Sequence, residues 1–302
     1  MSLLVVGSVA FDSIDTPHGK AERVLGGSGT YLAYAASLYT NVRLIGVIGD
    51  DFTDEHLGIL KKRNIDLTGL TRMTGKTFFW HGRYFADMNE RETLKVDLNV
   101  FGDYEPQLPE NFRDSEYVFL ANARPALQIK VREQLKKPRL VFCDTMDLWI
   151  ETQRAELMRL LGMVDGIVLN EGEARKLTEN NFPTLIGAGR QIMRFGPKYV
   201  IIKKGEHGAL LLAPEGVFAT AAYPLEHVFD PTGAGDTFGG GVLGYLAQTG
   251  DLSFDNLKKA IIHGTIVASF TVEKFSLDRL REISQHDIEA RYNEMVAMLK
   301  FC

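Results

Sequence analysis

The sequence predicts an α/β protein: a three-layer α/β/α sandwich around a mainly parallel sheet, carrying a small β-sheet lid. Three observations predict it. Short apolar runs alternate with longer amphipathic segments over most of the chain. Those runs are continuously apolar, as in strands covered by helices on both faces. One aromatic stretch breaks the rhythm with a hairpin pattern of its own.

Taken in order, Leu3–Val6 is the first strand. It has no basic flank, is too short for the apolar core of a signal peptide and leads into Asp12 and Asp15. Residues 13–24 add one or two strands, and Thr30–Leu38 a helix. Val42–Ile48 is the next core strand and Glu55–Lys62 the helix after it. Residues 75–100 then read as an aromatic strand, a polar turn around Asp87–Arg91 and a strand alternating from Thr93 to Leu98. Further strands at Tyr117–Leu120, Leu140–Cys143, Gly166–Leu169 and Tyr199–Ile202 alternate with helices at Ala126–Leu135, Arg154–Leu161 and Ala188–Arg194, and Leu257–Phe270 is a last helix. That alternation describes one unit over residues 1–302, with a lid of about 13–24 and 75–100 inserted into it. A lid over a substrate, an edge extension of the main sheet and a dimer contact are all open to that small aromatic stretch.

Composition narrows the function. Hydrophobic residues make up 45% and charged residues 24%, with a net charge of −5 and both signs interspersed. No basic block is present of the kind that nucleic acid or an anionic membrane needs. No apolar run approaches the ~20 residues of a membrane span. Cys143 and Cys302 are too few for a disulfide framework, which suits a reducing cytoplasm.

The most informative segment is Asp230-Pro231-Thr232-Gly233-Ala234-Gly235-Asp236. Pro231 brings the chain in extended, and Phe238, Val242 and Leu246 then recur at helical spacing. Glycines at a loop-to-helix junction leave the amides of 233–236 to point at one anion, with the positive end of the helix dipole behind them. Asp236 is out of place in a pure phosphate-binding loop. It makes sense as a general base that takes a proton from an attacking alcohol while the amides hold the phosphoryl group. Capping alone would explain Asp236 but not the two glycines before it. Glycines at 239–241 each cost about 1 kcal/mol inside a helix, so something must approach its first turns closely. Competing motifs fail: Gly75-Lys76-Thr77 lacks the first glycine of a Walker A loop, and Gly7-Ser8-Val9 lacks a dinucleotide fingerprint. No G-x-S-x-G elbow or metal-ligand pairing is present.

DPTGAGDTF resembles the C-terminal signature of the PfkB, or ribokinase-like, carbohydrate kinase family, and the resemblance runs along the whole chain. Gly26-Gly27-Ser28-Gly29 is similar to its substrate-binding G-G signature, and Asp12 to its sugar-binding acidic residue. Gly46–Phe52 resembles its G-x-x-G-x-D stretch, Asn170-Glu171-Gly172-Glu173 its N-x-x-E motif and Gly205–Gly208 its nucleotide turn. The resemblance implies a cytoplasmic ATP- and Mg²⁺-dependent kinase acting on a hydroxymethyl group of a small sugar. A nucleoside acceptor is the alternative, and a non-catalytic nucleotide-binding regulator a more distant one. It implies Asp236 as base and Gly233, Ala234 and Gly235 as the anion hole. Asn170 and Glu173 would organise Mg²⁺ through water, although the same pair also reads as a capping box. Lys203, Gly205, Gly208, Thr232 and the segment around His263–Thr265 would serve the nucleotide, and Asp230 with Thr232 a monovalent cation, usually K⁺. The sequence departs from the pattern at Tyr31, where an Asn is usual. With Phe79, Trp80, Arg83 and Tyr84 in the lid, and Asn99, Asn122 and Arg124 as polar contacts, Tyr31 would give the acceptor site an aromatic character. A homodimer through the lid is a further expectation.

Overall fold

The computed structural model describes residues 2–300, so Cys302 lies outside the described residues. β1 (Ser2–Val6) leads into β2 (Ala10–Thr16) and β3 (Gly19–Gly26), followed by α1 (Ser28–Ala36), β4 (Asn41–Ile48) and α2 (Asp54–Lys61). Two short strands, β5 (Ile65–Asp66) and β6 (Leu70–Arg72), precede the hairpin β7 (Phe78–Tyr84) and β8 (Arg91–Asp97). Next come β9 (Tyr117–Leu120), α3 (Pro125–Gln134), β10 (Leu140–Asp144), α4 (Asp147–Thr152) and α5 (Arg154–Leu161). β11 (Gly166–Asn170), α6 (Glu171–Leu177), α7 (Leu185–Arg194) and β12 (Tyr199–Lys203) follow. The chain finishes with β13 (Ala209–Ala213), β14 (Gly216–Thr220), α8 (Ala234–Thr249), α9 (Phe254–Thr271), α10 (Asp278–Glu282) and α11 (Gln285–Leu299).

The large sheet runs β14-β13-β12-β11-β10-β9-β1-β4-β5, with β6 beside the end of β4. Its pairings are parallel except those of β13 with β12 and of β14 with β13. Continuous apolar strands serve two cores at once. In β1, Leu3 and Val5 enter the cluster shared with α1, α8 and α9, while Leu4 and Val6 enter the one shared with α3 and α5. This is the expected three-layer, ribokinase-like fold. β13 and β14 lie outside the predicted strands and form an antiparallel edge.

β2, β3, β7 and β8 make a separate four-stranded sheet in the order β3-β2-β7-β8. It begins three residues earlier than the predicted lid, at Ala10, because β2 pairs with both β3 and β7 from there.

The glycines at 239–241 answer to close neighbours in the fold: Gly239 to the Phe119 ring of β9, and the other two to helices. A Cβ on Gly240 would lie 2.4 Å from the Leu32 carbonyl of α1, and one on Gly241 would lie 2.8 Å from Gly264 of α9. α8 is thereby pressed between α1 and α9, and its N-terminus is held rigidly at the sheet's C-terminal edge. The strand order reverses between β1 and β9, which opens a crevice at that edge.

Candidate active site

The crevice is built around the start of α8. Gly233 has φ 74°, a left-handed conformation that glycine adopts without a Cβ penalty. A Cβ there would also sit 2.4 Å from the Tyr31 ring. The Ala234 amide turns back to the Pro231 carbonyl at 3.2 Å, correcting the expectation that it faces a ligand. Among the described residues no backbone partner takes the amides of Gly233, Gly235 or Asp236, which are left open at the start of α8.

Asp236 follows, half-buried. Burial first, and then the Asp144 carboxylate, raise its pKa to about 7, against the pull of Lys203 and Arg91. A carboxylate poised there can accept a proton near neutral pH.

Lys203, at the end of β12, is drawn into this cluster rather than solvated. Its Nζ is 3.6 Å from Asp144 Oδ2, and a Cβ on Gly235 would come within 2.9 Å of it. Burial works against its charge, but Asp144, Glu173 and Asp236 outweigh that and hold the ammonium above its usual pKa.

Asp12 lies on the other side of the crevice, buried. The missing Cβ of Gly26 makes room for its carboxylate, which a Cβ would approach to 1.9 Å, and the Gly27 amide donates to it. Burial, and then Asp230, lift its pKa to about 8. The Ser28 hydroxyl is committed elsewhere: it donates to the Asn122 carbonyl and exchanges bonds with Ser8. Ser28 therefore clips the Gly26–Gly27 loop to the segments that follow β1 and β9.

A cavity of ≈ 390 Å³ opens beside Lys203 and Gly235, within the size range of small-molecule sites. Gly205, Gly208, Tyr223, Val228, Phe238, Thr265 and Ala268 line it, with Asp87–Asn89 from the tip of the β7–β8 hairpin. The tip of the small sheet therefore reaches the cavity next to the glycine turn.

The model of the pfkB family carbohydrate kinases matches residues 2–282. The chain belongs to that family. It is a sugar or nucleoside kinase, a phosphotransferase with an alcohol acceptor. A cytidine kinase of Thermococcus kodakarensis is 30% identical over 250 residues, covering 80% of this chain and 87% of the relative. Two solved structures share the fold at 19% identity. A Burkholderia thailandensis nucleoside kinase in complex with inosine has a TM-score of 0.77, covering 98% of this chain and 99% of that one. An E. coli ribokinase II in complex with ATP and Mg²⁺ has a TM-score of 0.79, covering 97% and 99%.

Several residues expected from this family's pattern sit differently. His263 is not at the cavity. Its ring stacks on Tyr245 at 4.1 Å and on Tyr292 at 4.8 Å, and burial lowers its pKa to about 4. Thr265 does line the cavity; two residues along a helix turn through roughly 200°, so the pair cannot share a face. Arg83 also points away. On β7 the hydroxyl of Tyr84 accepts from Thr232 at 3.3 Å, so Trp80, Gly82 and Tyr84 share the inward face and Arg83 lies on the outer one, near Glu92. Tyr31 is only 1% exposed, packed beneath Gly233, and offers the acceptor no stacking face.

Asn99, exposed and in left-handed geometry, donates to the Thr77 carbonyl, which anchors the end of the lid. Arg124 donates to the Gly102 carbonyl. Asn170 and Glu173 form a reciprocal capping box at 2.8 and 2.7 Å. Burial raises the pKa of Glu173. Asp230 is buried, accepting from the Thr232 and Ser276 amides, and burial raises its pKa too.

Sequence reasoning missed Arg91 by leaving it in the hairpin turn. It is the cross-strand partner of Tyr84 and so shares the inward face. Its charge bears on Asp12, Asp236 and Glu173. The period-two pattern of β8, counted back through the bulge opposite His81 and Gly82, carries that signal.

Proposed function

We propose that this chain is a nucleoside kinase that moves the γ-phosphoryl group of ATP to the primary hydroxyl of its acceptor's sugar. The observation that carries the reading is Asp236: a carboxylate with a near-neutral pKa beside three free amides, with Asp12 on one side and the Lys203 cavity on the other. Similarity to a cytidine kinase over most of both chains supports a nucleoside over a free sugar. The sugar reading keeps the same chemistry and is supported by a 25% identical deoxyribokinase of Salmonella typhi.

In this mechanism Asp12 accepts hydrogen bonds from sugar hydroxyls and turns the hydroxymethyl group toward Asp236. Asp236 takes the hydroxyl proton as the new O–P bond forms and the β–γ bridge breaks, releasing ADP. The amides of Gly233, Gly235 and Asp236 hold the transferring oxygens, while Lys203 and Arg91 offset their charge. The residues fit Mg²⁺ held mostly by phosphate and water: Glu173 offers a single buried carboxylate beside Lys203 and Asp144. Glu173 and Asn170 would then hold its waters, and the ion supplies charge neutralisation on the triphosphate. Asp230 and Thr232 support a monovalent cation site, which added K⁺ would reveal as higher turnover. The exposed Leu94 and Leu98 of the lid support a homodimer, testable by sedimentation.

The deciding experiment measures ADP release with cytidine, uridine, adenosine, inosine, ribose and deoxyribose as acceptors. Turnover of at least one nucleoside, abolished in Asp236→Asn, is expected. Turnover of free sugars alone would overturn the nucleoside reading, and none with any acceptor would overturn kinase activity.

A further inference from the structure

At the carboxyl ends of β9 and β10, beside the point where the strand order reverses, a small cluster is left over once the acceptor loop is described. Trp149 Nε1 donates to Asn122 Oδ1 at 2.9 Å, and Asn122 Nδ2 donates to Met146 Sδ at 3.2 Å. The backbone of the same Asn122 accepts the Ser28 hydroxyl at 3.2 Å. One residue thus ties the indole to the loop whose Gly26 and Gly27 frame Asp12.

The indole itself stands apart from the core. Its neighbour Ile150 is buried and packed in the core shared by α3 and α5, but Trp149 belongs to neither core cluster and is half-buried. A large aromatic ring fixed by its N–H and left out of the core is an apolar shelf with a defined tilt. The chain's other tryptophan is differently committed. Trp80 donates to the Thr93 hydroxyl at 3.3 Å, covers Gly82 and lies 5.9 Å under the Arg91 guanidinium, all within the lid.

Resting on the nucleoside reading above, we infer that Trp149, oriented by Asn122, is the surface on which the planar base of the acceptor stacks. The geometry follows from the chemistry of a nucleoside. Its 5′-hydroxyl must meet Asp236 and its ring hydroxyls Asp12, so the base leaves the sugar on the side away from the phosphates. Asn122 is tied to the Gly26–Gly27 loop through the Ser28 hydroxyl, and Trp149 is tied to Asn122, which puts the indole next to the loop that frames Asp12. The switch-point crevice is where open α/β sheets receive ligands. A stacking contact tolerates different bases, since every base has a π-face, so Trp149 would favour nucleosides as a class over free pentoses.

The test uses the intact chain. Trp149→Ala should raise KM for nucleosides about 5- to 150-fold, the range expected for losing one stacked base. KM for ATP should stay within about twofold. Trp149→Phe, which keeps a ring, should recover most of the loss. A readout independent of that variant's folding comes from Trp80→Phe, in which Trp149 is the remaining tryptophan. Titration with a 5′-deoxynucleoside, which cannot be phosphorylated, should quench its emission saturably, and ribose should not. If nucleosides are turned over but the titration leaves Trp149 emission unchanged, the base lies elsewhere and the nucleoside reading survives. If only free sugars are turned over, both readings fail together.

Discussion

The ring of Tyr31 lies beneath the Cα of Gly233, so that a Cβ on that glycine would meet three ring atoms at 2.4 to 2.5 Å. The tyrosine thus fixes the height of the anion-binding loop from below, and the glycine is required twice over, by its left-handed φ of 74° and by the ring. Gly233→Ala should cost about 2–4 kcal/mol of stability, from left-handed strain plus overpacking, and lower kcat about 100-fold by displacing the amides. Tyr31→Ala has its own cavity cost, but in that background Gly233→Ala should cost less than in wild type, because the clash is relieved and only the φ strain is left. A double-mutant cycle by denaturant unfolding measures the coupling.

The Tyr31 hydroxyl is buried with no hydrogen-bond partner, near Asp230, Asp12 and Asp236. Burial pushes its pKa well up, so it stays a neutral donor. Tyr31→Phe should leave stability unchanged or raise it by about 1 kcal/mol, since an unsatisfied polar group is removed. A loss of activity in this variant, with stability kept, would show that the hydroxyl meets the acceptor or a bound cation.

Asp236 sets a pH dependence whose sign follows from its raised pKa. As the proposed base it must be ionised, so kcat/KM should rise with pH along an acid limb near 7. Stability runs the other way. The folded-state pKa of about 7 lies above the ordinary 3.8, so the native state binds the proton more tightly. Asp236 therefore costs nothing extra below pH ~4, costs progressively more as pH rises to about 7, and stays at full cost above that. Asp236→Asn should be inactive and more stable than wild type at pH 8, with the difference vanishing at pH 4. Thermal melts across that range check it; an Asn variant no more stable at pH 8 would remove the strained-carboxylate account.

Most of the scaffold was legible because each core strand is a continuous apolar run and each covering helix has its own period. Val42–Ile48 and Gly166–Leu169 fall within strands, and Arg154–Leu161 coincides with a helix. The glycine loop was legible as a loop-to-helix turn for a different reason: Gly233 takes the left-handed φ that glycine favours, and α8 starts at the next residue. Side-chain direction was less so. Arg83 and Arg91 are both lid arginines, and only strand register tells which faces inward. His263 and Thr265 are neighbours in sequence, but the helix turns them to different surroundings. Trp149 carries no local signal, because its partner Asn122 is 27 residues away, in the loop after β9.

Lys203 and Asp144 form an ion pair at 3.6 Å whose side chains are 19% and 7% exposed. Removing the ammonium leaves a buried carboxylate without its counter-charge, so Lys203→Met should cost about 3 kcal/mol. Asp144→Asn in the same chain should restore most of that stability. It should not restore affinity for ATP if Lys203 also meets phosphate, and calorimetric titration with an ATP analogue separates the two roles.

Arg91 provides the most direct test of the lid's part in chemistry. It reaches inward beside Tyr84, and burial, which opposes its charge, is outweighed by Tyr84, Glu173 and Asp236. Because its field lowers the pKa of Asp236, Arg91→Ala should move the acid limb of kcat/KM to higher pH as well as reduce kcat about 100-fold. A positive group that merely packs the lid would change neither the limb nor kcat. Arg91→Lys keeps a charge without the planar fork, so it should leave the limb nearer its wild-type position while recovering only part of the rate. If both variants keep the wild-type pH profile and turnover, the phosphoryl group is handled by the α8 amides and Lys203 without help from the lid.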